Sequence, residues 1–230
     1  MTASVLTHAA LHHAILRHLV DQGFAPAGAW LAERFGVDGE VMAQALRDLQ
    51  AYHGVVLHPH VPEVWVIHPF STAPTPFAVG QGDRIWWGNC AWCSLGVAAL
   101  LGGNGVTIRT TLGAEGQPVT VHVDDHRVRE NLWVHFPVPM ARAWDNVIFT
   151  CTTMLLFGNE AEIDAWAGRH ALPRGDAQPV QRVYDFARVW YGRHLDEDWH
   201  KWTTEEAREI FERFGFRGPT WDLPRSSERF

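Results

Sequence analysis

Apolar residues recur at helical spacing through roughly the first fifty positions and then at alternating spacing, so helices come first and strands follow. Between His8 and Gly23, Leu11, Ile15, Leu19 and Val20 share one face, which predicts a helix that glycine ends. Pro26 suits the first turn of a second helix carrying Trp30, Leu31 and Phe35 and stopped at Gly36. Asp38 can cap a third, with Val41, Met42, Ala45, Leu46 and Leu49 as its buried stripe. Val55-Val56-Leu57 and Glu63-Val64-Trp65-Val66-Ile67 then read as two short strands around a His58-Pro59-His60-Val61-Pro62 turn. Three helices and a hairpin predict a winged-helix-like domain over residues 1–68. The Pro/Thr-rich run from Pro69 to Pro76 predicts an extended linker over 69–80.

Past the linker the pattern changes again. Asn89 is placed to cap an apolar helix running to Leu101, and Gly102-Gly103-Asn104-Gly105 tolerates the positive φ that ends one. Val106 to Thr110 and Val119 to Val123 alternate at period two across a Gly113-Ala114-Glu115-Gly116 turn. Leu132 to Phe136 reads as a further strand, and the apolar run 147–157 as another. Asn159 to His170 and Pro179 to His194 read as helices, and Thr203 with Glu206 forms a capping box for a last one. The mixture is α+β.

Composition narrows the class. A chain of 230 residues buries enough surface for a core without staples. Three cysteines do not make a secreted disulfide framework. No stretch reaches the ~18–20 apolar residues of a membrane helix, and no basic flank with an apolar run marks a signal peptide, so the expectation is a cytoplasmic protein without a membrane partner. A winged helix invites a nucleic-acid reading. Residues 1–68, however, hold three arginines against six acids, and the whole chain carries a net charge of −7. Phosphate contacts need Lys or Arg on the docking face, so the domain reads as structural or lid-like rather than as a nucleic-acid binder.

The candidate chemistry sits in Trp86-Trp87-Gly88-Asn89-Cys90-Ala91-Trp92-Cys93-Ser94-Leu95-Gly96. A cysteine at a helix N-terminus has its thiolate favoured by unpaired N–H groups, which makes Cys90 and Cys93 candidate nucleophiles or soft-metal ligands. The third thiol, Cys151, lies far away in sequence. Cys-x-x-Cys also fits a redox pair, but the following segments do not alternate as βαβ. A structural zinc site needs four ligands, and three cysteines fall short without a histidine. His12-His13 and His58-x-His60 read as helix-face and turn residues.

The order of segments resembles the organomercurial (alkylmercury) lyase family. Ala91-Trp92-Cys93-Ser94-Leu95 is similar to the stretch holding that family's first catalytic cysteine, and Gly116-Gln117-Pro118-Val119-Thr120-Val121-His122-Val123 to one of its strands. Cys151 before Met154-Leu155-Leu156-Phe157-Gly158, then Glu160, Glu162 and Trp166, resembles the segment of its second cysteine. The helix ending Gly192-Arg193-His194-Leu195 resembles its closing helix. The resemblance implies a small mixed α/β catalytic domain with a mainly antiparallel sheet over 81–195, leaving 196–230 as a helical extension. It implies Cys93 and Cys151 as a catalytic, mercury-binding pair that holds an organomercurial while an acid protonates the departing carbon. External thiols would act as partners, and no cofactor would be required. The family's acid is an Asp three residues after the first cysteine; here that position is Gly96. Cys90 is the candidate substitute and a further metal ligand, with Asp145, His135 and His122 as other sources of the proton. Trp92, Trp87 and Gly96 are expected to line the substrate pocket. The alternative is a diverged thiol-dependent lyase, or a thiolate protein that binds or senses Hg, Cu or Zn without cleavage.

Overall fold

The computed structural model describes residues 5–224; the outermost parts of the two predicted terminal segments, 1–4 and 225–230, lie outside the described residues. Three helices open the chain, α1 (His8–Gln22), α2 (Gly28–Phe35) and α3 (Gly39–Ala51). Thr7 caps α1, whose end is closed by Gly23 at φ 85, and the Asp38 carboxylate caps α3 by accepting the Val41 N–H. Pro26 falls before α2 rather than in its first turn, and the cap residue Ala27 offers no side-chain acceptor. Glu63 takes over that role, accepting the Gly28 N–H at 3.0 Å from the hairpin.

The predicted hairpin is present as β1 (Val56–Leu57) and β2 (Val64–Ile67), and the sheet does not stop there. The predicted linker contributes β3 (Phe70–Ser71) and the start of β4 (Ala78–Gln81), followed by β5 (Arg84–Gly88). After helix α4 (Ala91–Leu100) come β6 (Val106–Thr111), β7 (Pro118–Asp124) and β8 (Arg127–Val128). All eight strands form one antiparallel sheet in the order β1-β2-β3-β5-β4-β6-β7-β8. Val106 and Ile108 pair with Val123 and Val121, all four buried, so the alternation in the sequence sets the register.

A second sheet, in the order β10-β9-β11, follows. Its strands are β9 (Trp133–Phe136), β10 (Leu156–Phe157) and β11 (Asp176–Pro179), with helices α5 (Val147–Thr153) and α6 (Glu160–Arg169) along the way. Helix α7 (Val180–Tyr191) then packs across α4, and α8 (Thr204–Arg213) follows with its capping box in place. Among the described residues no helix is long and apolar enough to cross a membrane.

Most of the predicted strand over 147–157 is helical. Val-Ile-Phe-Thr-Cys-Thr-Thr has strand propensity, but only one side of it meets the core. Val147, Thr150 and Cys151 are buried while Phe149 is 46% exposed, a helical period rather than an alternating one. Asn146 starts the helix by accepting the Phe149 N–H through its side chain. Only Leu156–Phe157 is left as strand.

Candidate active site

Four segments converge on one partly open cavity. β5 ends in Gly88, where a Cβ would stand 2.6 Å from Ser94 Cα, so glycine is what lets the strand lie this close to the start of α4. The cap of α4 is Cys90 and not Asn89, one residue later than predicted. Its backbone is extended and its sulfur accepts the Cys93 N–H at 3.3 Å. The Ala91 N–H donates to the Met154 carbonyl, fastening the mouth of α4 to the residue that ends α5. That link brings Cys151 to the helix mouth carrying Cys93.

The tightest cluster joins His68, from the turn between β2 and β3, with Cys93 and Cys151. The His68 ring nitrogen and the two sulfurs all lie within 4.8 Å of one another. Cys93 Sγ is 3.4 Å from His68 Nδ1 and 3.5 Å from the Tyr191 hydroxyl at the end of α7. Cys90 Sγ stands behind, 3.5 Å from Met154 Sδ. All three cysteines are buried and unbridged.

The thiols are not equivalent. Burial opposes ionisation of Cys93, but hydrogen bonds from Cys151 and Cys90 and the charge of the His68 ring outweigh it and hold its pKa well below the ordinary thiol value. Cys90 is pushed well above that value by its own burial, and Cys151 by the neighbouring sulfurs Cys90 and Cys93 that it serves as a donor. The Tyr191 phenol is likewise held protonated by burial and by Cys93 beside it. The site therefore offers one thiolate surrounded by groups that keep their protons.

The cavity beside the sulfurs has a volume of about 80 Å³, is partly open to solvent and is walled mainly by rings. Trp92 lines it and stacks on Phe186 at 4.8 Å. Trp144 stands edge-on to His68 at 5.4 Å, and Trp190, Trp199 and Trp202 complete the wall with His12 and His194. Burial keeps both histidines uncharged, with the pKa of His194 down at about 3.

Of the expected pocket residues, Trp92 is on the wall, whereas Trp87 lies on β5 outside the lining. Gly96 is also outside it, packed under Tyr191: a Cβ there would sit 2.3 Å from Tyr191 Cδ2. A side chain at 96 and this placement of the tyrosine ring are mutually exclusive, so the ring fills the space a carboxylate would need. The other expected proton sources are occupied elsewhere. Asp145 pairs with Arg142 at 3.0 Å, His122 with Glu130 at 2.7 Å, and His135 meets the Arg174 carbonyl at 2.8 Å. The sequence pattern does not single out His68 or Tyr191, and it reads His12 as a helix-face residue. Nothing local marks these three, because strands, a helix end and a buried helix face bring them in from different parts of the chain.

With the geometry in place, the sequence model of the MerB alkylmercury lyase family matches residues 70–192. The chain belongs to the alkylmercury lyase family. The matched span holds Cys90, Cys93, Cys151 and Tyr191, while His12, His68, His194 and Trp199 lie outside it. A solved structure, the mercury-bound form of MerB2, has the same fold at a TM-score of 0.63 with 18% sequence identity. The alignment covers 80% of this chain and 91% of that one. A search of curated proteins returned no match.

Proposed function

We propose that this alkylmercury lyase family member cleaves carbon–mercury bonds by protonolysis. The observation that carries the reading is the cluster itself: two sulfurs and an imidazole within 4.8 Å of one another in a buried site, one of those sulfurs poised as a thiolate. Thiolate sulfur is the soft ligand that a soft ion such as mercury selects.

The steps balance on the groups present. The Cys93 thiolate displaces the external thiolate from the incoming R–Hg–thiolate adduct, breaking that Hg–S bond and forming a Cys93–Hg–R bond. Cys151 then joins the same mercury through its sulfur and gives up its proton. One proton is what the departing carbon needs to leave as R–H, and the Tyr191 hydroxyl and Cys90 thiol stand beside the sulfurs as protonated neighbours able to relay it. Hg(II) stays bridged between Cys93 and Cys151 until one external thiol and one external thiolate take it and return the cluster to one thiolate and one thiol. No resident cofactor enters this sequence, because mercury arrives as substrate and leaves as product.

The test is direct. Pure protein with excess thiol and methylmercury should release methane and Hg(II) over many turnovers. Stoichiometric capture of the organomercurial with no hydrocarbon formed would overturn the reading.

A further inference from the structure

The wall beside the sulfurs includes the place where α1 meets the segment between α7 and α8. Trp199, beyond the span matched by the family, is 5% exposed and lies flat on His12 of α1, ring centroids 3.7 Å apart and planes within 7°. From Trp199 the wall passes through His194, 5.8 Å away, to Tyr191, 5.0 Å further, whose hydroxyl touches Cys93. Each member of that line is buried and braced by the next, and rings stacked in this way leave little freedom to swing aside.

Beside this wall lies the cavity of about 80 Å³. An apolar cavity known to accept benzene has about 150 Å³. A mercury atom on the sulfurs with one or two carbons attached fits the smaller space, whereas a phenyl ring would need more of it, and the stacked Trp199–His12 pair is part of the wall that bounds that space. Burial keeps His12 and His194 uncharged, so this part of the wall suits a neutral hydrocarbon group.

We infer that Trp199, held by His12, is a specificity-determining residue that restricts the substrate to mercury carrying a small alkyl group and disfavours aryl groups. The inference rests on the proposed cleavage, and its test separates the two. Release of methane by the wild-type protein tests the cleavage. The size limit is read from the ratio of kcat/KM for methylmercury to that for phenylmercury, in wild type, Trp199→Ala and Trp199→Phe.

Opening the wall with Trp199→Ala should shift that ratio toward phenylmercury by about tenfold or more, the discrimination a pocket obtains from a few carbon atoms. Trp199→Phe, which keeps a ring over His12, should leave the ratio near the wild-type value. An unchanged ratio in a folded Trp199→Ala protein overturns the inference. A second measurement uses the wild type alone: capture of methyl-, ethyl- and phenylmercury by Cys93, followed by mass spectrometry, should slow with the size of the group. Equal capture rates across the three would also overturn it, whatever the variants do.

Discussion

The floor and the roof of the cavity are built on different principles. The floor, formed by Cys93 and Cys151 with His68 and Tyr191, is a set of titratable groups whose protons are distributed unequally by contact and burial. The roof, Trp199 on His12 with His194 beside it, is ring against ring and holds its histidines uncharged. Cys93, Cys151 and Tyr191 fall inside the family-matched span, and the whole roof trio outside it. Most of the reactive groups thus lie within the family-matched span, His68 excepted, while the shape above them is supplied by segments on either side of it. Changes to the floor should alter whether a bond breaks; changes to the roof should alter which bond, or how stable the fold is.

The largest effects belong to the floor. Cys93→Ser should lose both capture of the organomercurial and hydrocarbon release. Cys151→Ser should still form the Cys93–Hg–R adduct, visible by mass spectrometry, with hydrocarbon release reduced to background. If both variants behaved alike, the division of labour between the two sulfurs would be wrong.

The roof should answer to pH. Its histidines are neutral in the fold, with His194 at about 3 against an ordinary 6.5, so the unfolded chain binds protons that the folded chain refuses. For His194 the contribution to stability is complete above about 6.5 and is lost as pH falls toward about 3, by about 1.4 kcal/mol per pH unit, and His12 acts in the same direction. Urea unfolding at pH 7 and pH 5 should show the loss, and His194→Phe should make the dependence shallower. A stability independent of pH across that window would mean the rings are not held neutral.

The smallest effect lies at the seam between α4 and α7. Gly96→Asp, which introduces the residue expected from the family pattern, should destabilise the protein by about 1–3 kcal/mol, because the new Cβ collides with the Tyr191 ring. Tyr191→Phe should not relieve the collision, whereas Tyr191→Ala in the same background should recover part of it. A double-mutant cycle on denaturant midpoints measures the coupling.

Much of this layout can be read from the sequence, and the failures have physical causes. The three N-terminal helices, the β6–β7 pairing and the α7 and α8 helices follow from local periodicity and capping that tertiary packing then reinforces. Cys93 and Cys151 were legible through the residues flanking them. Helix α5 was misread because its β-branched run favours strand, while the deciding fact, burial of one side only, is a property of the neighbours. Asn146 was the local signal available for it. The Cys90 cap was missed by one residue because sulfur is not among the usual capping atoms. Tyr191 reaches Cys93 because Gly96 leaves room, and nothing near either residue announces the other. The contact between His12 and Trp199 likewise spans nearly the whole chain.

Position 96 is constrained by its surroundings. With an aromatic ring already parked against that helix turn, any single step toward a carboxylate there jams before it can be of use, and withdrawing the ring alone strips the nearest sulfur of its hydroxyl neighbour. The two positions can change profitably only in concert. A chain with the glycine-and-tyrosine arrangement is therefore held to it by simple crowding.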